Sequence, residues 1–588
     1  MKERNEKFPS PKELEKEIND YLNKKYGKHF RFGVTSSFLP EPESQKAKNG
    51  AGKEQRAGTA KINFNIKPEE LEAYLDEYII KQKKAKQILA TKICTHFNRI
   101  RALESSKRFW DDHPVGNIKN NIIMIGPTGV GKTYMIKLIA KKIGVPFVKG
   151  DATKFSETGY VGGDVEDLVR DLVAEANGDI ELAQYGIIYL DEVDKIAGSQ
   201  NFIGPDVSRT GVQRALLKPM EETEVELRVP HDIISQMEAL EHYRRTGEKQ
   251  KQKINTKNIL FIMSGAFNGL EEIIKKRLNR QGIGFGAEIR SKKDEEGSLL
   301  PLVKAEDFIN YGFESEFIGR LPVVVVLEKL EVEDLYEILR NINSPIILGK
   351  KKDFKAYGID IKFEDEALYK IAQNAYQERT GARGLVSAIE KVLLPFERKL
   401  PSTNIKRLVV TPEMVDSPEA ELEKILQDPE NPEREERFRK VAHQEAQRLK
   451  ESILARKNEF LNRYGVLLDE KIIEVITYWV MEQGISVSAA YQEAINIRQQ
   501  VKNFERKFTE IHGLEINFAE DLLNGIIEKV IKENKDPWEI CQTICKNYEY
   551  GLKLIKEKTG VNNFVIHKEA LQNPEEYLNS LIRNSYNR

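Results

Sequence analysis

The segment Gly126-Pro127-Thr128-Gly129-Val130-Gly131-Lys132-Thr133 constrains this chain more than any other. It satisfies G-x-x-x-x-G-K-T, follows the apolar run Ile122 to Ile125, and opens an amphipathic helical pattern at Thr133 and Tyr134. A strand–loop–helix context of this kind is what a phosphate-cradling loop requires. The glycines let backbone N–H groups turn inward around phosphate oxygens. Lys132 brings a point positive charge to the terminal phosphates, and Thr133 offers a hydroxyl to Mg2+. The alternative, a chance glycine turn, does not account for the strand before it and the helix after it. Strand-like runs at 121–125, 187–190 and 258–263 alternate with helical patterns. That alternation predicts an α/β fold with a parallel sheet and helices on both faces.

The second run, Ile187-Ile188-Tyr189-Leu190, ends in Asp191-Glu192. Open α/β sheets bind ligands at the carboxyl ends of their strands. Asp191 is therefore expected to hold Mg2+ directly or through water, and Glu192 to orient and polarise the attacking water as general base. No N-K-x-D motif of the guanine-selecting kind is present, so the expected nucleotide is ATP.

Composition bounds the rest. The 588 residues are more than one core organises, which predicts several domains. Lys and Arg total 92 against 93 Asp and Glu, so the net charge of −1 argues against a nucleic-acid-coating protein. Three cysteines, Cys94, Cys541 and Cys545, exclude a disulfide framework and a four-cysteine zinc site, and fit a reducing, cytoplasmic setting. The longest apolar run, around Leu321 to Leu327, is strand-sized, so no membrane span is expected. Residues 12–26 read as a short amphipathic helix and 41–60 as a linker; from Thr411 the sequence is acidic and proline-punctuated, then mostly helical to Arg588.

At these motifs the sequence resembles the AAA+ superfamily, and within it the ClpX/HslU group of protein unfoldases, from about Tyr74 to Leu400. The resemblance implies a large α/β ATPase domain over 61–340 and a small helical lid over 341–410, preceded by an N-terminal helix and linker over 1–60. A helical C-terminal extension follows over 411–588. Leu75 to Gln82, with Tyr78, Ile79 and Ile80 at its centre, resembles the segment that contacts adenine, although Lys81 stands where the family has glycine. Gly159-Tyr160-Val161-Gly162 resembles the pore loop that grips substrate polypeptide through Tyr160 and Val161. Ser264, at the end of Ile259 to Met263, stands where the group senses the γ-phosphate; a hydroxyl capping the next turn is the alternative. Phe317-Ile318-Gly319-Arg320-Leu321-Pro322 implies that Arg320 is an arginine finger acting on a neighbouring subunit, hence a homo-oligomeric, hexameric ring. Thr380-Gly381-Ala382-Arg383-Gly384-Leu385 implies a lid arginine, Arg383, that reaches the phosphates. Ile283-Gly284-Phe285 resembles the loop by which ClpX docks onto a ClpP-like peptidase.

The chain also departs from the family. Residues 1–60 hold no cysteine, so the family's zinc-binding domain is not expected there. Arg228 to Lys257 is a charged insertion in the place of a second pore loop. The extension shows no serine elbow, no H-E-x-x-H and no serine–lysine pair in a small-residue setting, so no peptidase activity is expected. It does show an internal echo. Gly513-Leu514-Glu515-Ile516-Asn517-Phe518 repeats Gly358-Ile359-Asp360-Ile361-Lys362-Phe363 in pattern, each followed by a helix, with a weaker copy at Gly465 to Leu468. Lys535-Asp536-Pro537-Trp538 stands where the lid has Gly381-Ala382-Arg383. The expected function is an ATP-dependent unfoldase that threads unfolded or tagged proteins toward a peptidase. A remodelling chaperone without a peptidase is the alternative.

Overall fold

Residues 122–125 are Ile-Ile-Met-Ile, four consecutive apolar side chains with no polar face. A strand of that composition is stable only when covered on both sides. In the computed structural model it is β1 (Ile122–Ile125) of a parallel sheet with β2 (Phe147–Asp151), β3 (Ile187–Asp191), β6 (Leu260–Gly265) and β7 (Val323–Val326), in the order β2-β3-β6-β1-β7. A small antiparallel pair, β4 (Glu224–Glu226) and β5 (Lys253–Asn255), lies outside it. The structure describes residues 65–105, 119–155, 163–198, 207–227, 253–281, 298–455, 470–483, 485, 487–533 and 535–586. The expected helix at 12–26, Tyr160 and Val161, most of the charged insertion, Ile283 to Phe285 and the echo at Gly465 lie outside the described residues.

Side-chain alternation divides the sheet's two faces cleanly. Ile122, Met124, Ile187, Tyr189, Leu260 and Ile262 enter one core. Ile123, Ile125, Ile188, Leu190, Phe261 and Met263 enter the other. The first core continues through Leu335, Leu339, Ile371, Leu385, Ile389 and Phe396, so the helices after β7 share buried surface with the sheet.

Those helices are Val332–Arg340, Pro345–Ala356, Asp365–Gln377 and Ala382–Lys399, joined by the parallel pair β8 (Asp360–Phe363) and β9 (Arg407–Val410). The same core reaches Met414, Val415, Leu422 and Ile425. Pro412 and Pro418, in the stretch that reads as acidic and proline-punctuated, are each the first residue of a helix, Pro412–Asp416 and Pro418–Gln427. Proline's fixed φ and missing N–H suit that position.

A long helix, Pro432–Ala455, then lays Phe438 and Val441 on Val409 of β9. Ion pairs of Glu445 with Lys351 and Lys362, and of Arg448 with Asp365 at 2.8 Å, fasten it to the lid. Beyond it the chain builds cores of its own from the helices Glu470–Gln483, Val487–His512 and Glu520–Glu533 and those that follow. The expected strand at the second echo is present. β10 (Glu515–Phe518) pairs in parallel with β11 (Asn563–Ile566), as β8 pairs with β9.

The likeness runs further than the echo. Paired strand starts fall at 360 and 407 in the lid and at 515 and 563 in the tail, almost the same separation. Each first strand follows a glycine at positive φ, Gly358 at 75° and Gly513 at 64°. Each second strand leads to a short helix and then one opening at Pro418 or Pro574. Buried Val410, Met414 and Leu422 match buried Ile566, Ala570 and Leu578. The tail is a second lid-like unit. In the lid sensor's place Trp538 packs edge-on against Phe504, ring centroids 5.0 Å apart, with the Lys507 ammonium over its face.

Candidate active site

The carboxyl ends of β1 and β3 face a cavity of about 440 Å³ between the sheet and the lid. Thr128 to Thr133 supply its floor, where Gly131 at φ 94° lets the chain turn into the helix Lys132–Ile143. A Cβ on Gly131 would meet nothing; the requirement there is conformational. Gly129 differs. Its φ is 73° and an added Cβ would lie 2.1 Å from the carbonyl oxygen of Thr380 on the lid. Ala382 N donates to Gly129 O at 2.9 Å. Loop and lid therefore meet backbone to backbone.

The Lys132 ammonium donates to the carbonyls of Gly126 and Pro127 at 2.5 and 2.8 Å, curling the loop around it. Burial pushes its pKa down to about 8, against the pull of Asp191 and Asp194 and with Arg383 adding to the fall. An anion is what such a half-stripped cation lacks.

Asp191 is the centre of a polar network. Ser264 donates to its Oδ1 at 2.7 Å, the Lys149 ammonium lies 3.0 Å from Oδ2, and Glu192 N donates at 3.2 Å. Tyr189 donates to Ser264 at 2.6 Å and accepts from Thr133 at 3.1 Å. Burial opposes ionisation of Asp191, but the bonds from Ser264 and Lys149 prevail and hold its pKa below the ordinary carboxylate value. Burial and Asp191 push Tyr189 up to about 12. Thr133 Oγ1 stands 3.5 Å from Asp191 Oδ2, two hard oxygens side by side. Mg2+ takes few protein ligands and keeps its waters, so this pair fits it.

Glu192 borders the cavity beside Asp191 with φ 58° and ψ 31°, a left-handed conformation that a β-carbon disfavours. Non-glycine residues held there collect at functional sites. Arg383 lines the cavity from the lid. Ser264 does not line it. Fully buried, its hydroxyl is bound to Asp191, so it reaches the phosphates only through that carboxylate. Arg320 also lies away from the cavity, half exposed and paired with Glu221.

Tyr78, Ile79 and Ile80 form the far, apolar end with Leu330, Ile338 and Ile346. Gln82, the last residue of that segment, mimics a strand edge. Its amide accepts from Glu328 N at 2.8 Å and donates to Glu328 O at 2.7 Å, pinning the segment behind β7. Lys81 has φ 60°, the region where glycine is favoured, and its ammonium is tied to Asp334 at 2.7 Å and Lys329 O at 2.9 Å. The glycine-to-lysine departure thus keeps the backbone turn and adds an anchor to the lid.

Lys149, Tyr189 and Asp194 were not expected in the site. The first stands in β2 with Tyr189 as its register partner, two places before Asp191, a pairing that the sequence alone does not show. Among the described residues no group of three or more His, Cys, Asp or Glu is placed to hold a metal, and no helix is long and apolar enough to cross a membrane.

Residues 117–324 match the AAA domain (Cdc48 subfamily), and residues 330–401 match the C-terminal, D2-small domain of ClpB protein. The chain is 42% identical over 356 residues to an ATP-dependent Clp protease ATP-binding subunit ClpX of Borrelia duttonii, covering 59% of this chain and 78% of that protein. It is 40% identical over 358 residues to the protein of the same description from Treponema denticola, covering 59% and 81%.

Proposed function

This chain belongs to the ClpX/HslU group of AAA+ ATPases, and from that premise we propose that it is an unfoldase that uses ATP hydrolysis to pull polypeptide through a ring. The observation that carries the proposal is the backbone contact between Gly129 and the lid at Thr380 to Ala382. In this reading a change at the phosphates cradled by this loop is passed to the lid it touches, which couples the chemistry to motion.

In this reading Lys132 and Arg383 neutralise the terminal phosphates, while Thr133 and Asp191 would hold Mg2+, which would supply a Lewis acid for the charge on the phosphate oxygens. Glu192 accepts the proton of the attacking water, and Ser264 and Lys149 keep Asp191 ionised. Arg320, free of Glu221, completes the site of the next subunit in a hexameric ring. Tyr160 and Val161 grip the polypeptide in the pore, and Ile283 to Phe285 dock a ClpP-like peptidase.

Glu192→Gln should bind ATP tightly and hydrolyse it at least about 100-fold more slowly, the usual weight of a general base. It should leave a tagged fluorescent protein folded. Retained turnover would show that Glu192 is not the base. In the full chain, Phe285→Asp should abolish degradation with a ClpP-like peptidase and spare ATP hydrolysis. Unchanged degradation would show that the peptidase does not dock through this loop, and no degradation by the native chain would leave a remodelling ATPase that works without that partner.

A further inference from the structure

We propose that Ser344 reads the nucleobase, its hydroxyl hydrogen-bonding to the adenine ring of bound ATP. The inference rests on the assignment of the cavity to ATP and deepens it.

The cavity's two ends differ in chemistry. At the phosphate end lie the loop, Asp191, Glu192 and Arg383. At the other lie Tyr78, Ile79, Ile80, Leu330, Ile338 and Ile346. Apolar walls admit a flat purine by burial but discriminate weakly between purines; strong discrimination needs a polar group whose bond the wrong base leaves unmade. The Tyr78 hydroxyl is engaged with Tyr74. Ser344 also lines this cavity, is 2% exposed, and its Oγ is buried with no hydrogen-bond partner in the protein.

Two features make that hydroxyl unusual. Ser344 is the N-cap residue of the helix Pro345–Ala356, yet its side chain makes no capping bond. Serine is favoured at that position because its oxygen accepts a first-turn N–H. Moreover, a buried hydroxyl without a partner costs about 1–3 kcal/mol. A base in the slot removes that cost, since a hydroxyl both donates to a ring nitrogen and accepts from an exocyclic amine.

The serine is also held in place. Its N–H donates to Asn341 O at 2.9 Å, and its carbonyl accepts from Leu348 N at 3.0 Å. The side-chain amides of Asn341 and Asn343 donate to Glu77 O at 3.0 and 3.3 Å. Glu77 directly precedes Tyr78, so two lid amides fix this turn to the segment forming the opposite wall.

The test is equilibrium binding by the full chain, with ATP and GTP competing against a fluorescent ATP analogue, and melting without nucleotide. Ser344→Ala should weaken ATP about tenfold, change GTP less than about twofold, and leave the nucleotide-free melting point unchanged or higher. Ser344→Thr, which keeps the hydroxyl, should preserve the preference for ATP. A lower melting point with the ATP-to-GTP ratio intact would overturn the proposal and make Ser344 an ordinary helix cap. Lys132→Ala separates the two readings. ATP affinity unmoved by that change would refute the cavity assignment itself, whereas its loss alongside an unmoved ratio in Ser344→Ala refutes only the serine's role.

Discussion

Asp191 shows what single side chains do here. Its carboxylate lies beneath the cavity, where burial alone would favour the protonated form, and Ser264 and Lys149 reverse that preference. Removing either bond should return the group toward its ordinary range. Ser264→Ala should therefore shift the acid limb of the Mg2+-ATPase profile to higher pH. An unmoved limb would deny Ser264 this positioning role. His96 offers a second prediction. It is 6% exposed, its Nε2 lies 3.0 Å from Asn258 O, and burial pushes its pKa down to about 4, with Lys119 and Arg99 adding to the fall. The neutral ring with its proton on Nε2 satisfies that carbonyl. The folded pKa lies below the unfolded 6.5. The contribution is thus complete above about pH 6.5 and is lost as pH falls toward about 4, with an upper bound of about 3 kcal/mol. Unfolding midpoints between pH 7 and 4.5 should fall more steeply for the native chain than for His96→Gln.

Among elements, the phosphate loop and the lid helix Ala382–Lys399 are the closest neighbours in function. Gly129 admits no side chain: the left-handed φ and the 2.1 Å approach to Thr380 O both forbid one. Gly129→Ala should push the lid away, lowering stability by at least about 1 kcal/mol and ATP affinity by more than tenfold. Calorimetry with and without ATP would show both, and intact affinity would mean that the lid contact is dispensable. The loop was legible in the sequence because phosphate binding needs consecutive residues at fixed spacing, and the same holds for Asp191-Glu192. Lys149, the Gln82 anchor behind β7 and Ser344 were not legible in those roles. They converge from β2, from the turn before Lys83–Ser105 and from the lid, and one sequence does not show which distant segments meet. The helices after β9 were hidden for a different reason. Pro412 and Pro418 break chains and begin helices with equal ease, and only the buried Met414, Leu422 and Ile425 decide between the two. The tail's first strand was visible through its echo. Its partner β11 was not, because four residues of alternating exposure give little signal alone.

At the scale of the molecule, the cavity residues all precede Ser387 and the lid's shared core closes at Ile425, before the long helix begins. A chain ending at Gln427 should therefore fold and bind ATP with near-native affinity. Its melting point should fall by about 2–4 °C for each kcal/mol lost with the cover over Val409 and the ion pairs of Glu445 and Arg448. Loss of ATP binding would show that the tail completes the nucleotide site. One contact gives the tail a further meaning. Ser488, at the start of the helix Val487–His512, donates to Glu77 Oε2 at 2.7 Å, next to the base-binding segment. That helix has 26 residues, so it spans about 39 Å. Its first turn is tied to Glu77 and its last turn leads into β10. A rigid tilt of about 10° at Glu77 would sweep Gly513 through about 7 Å. The second lid-like unit, with Trp538 where the lid has Arg383, would then act as a pointer, turning a small movement beside the cavity into a larger one at its far end.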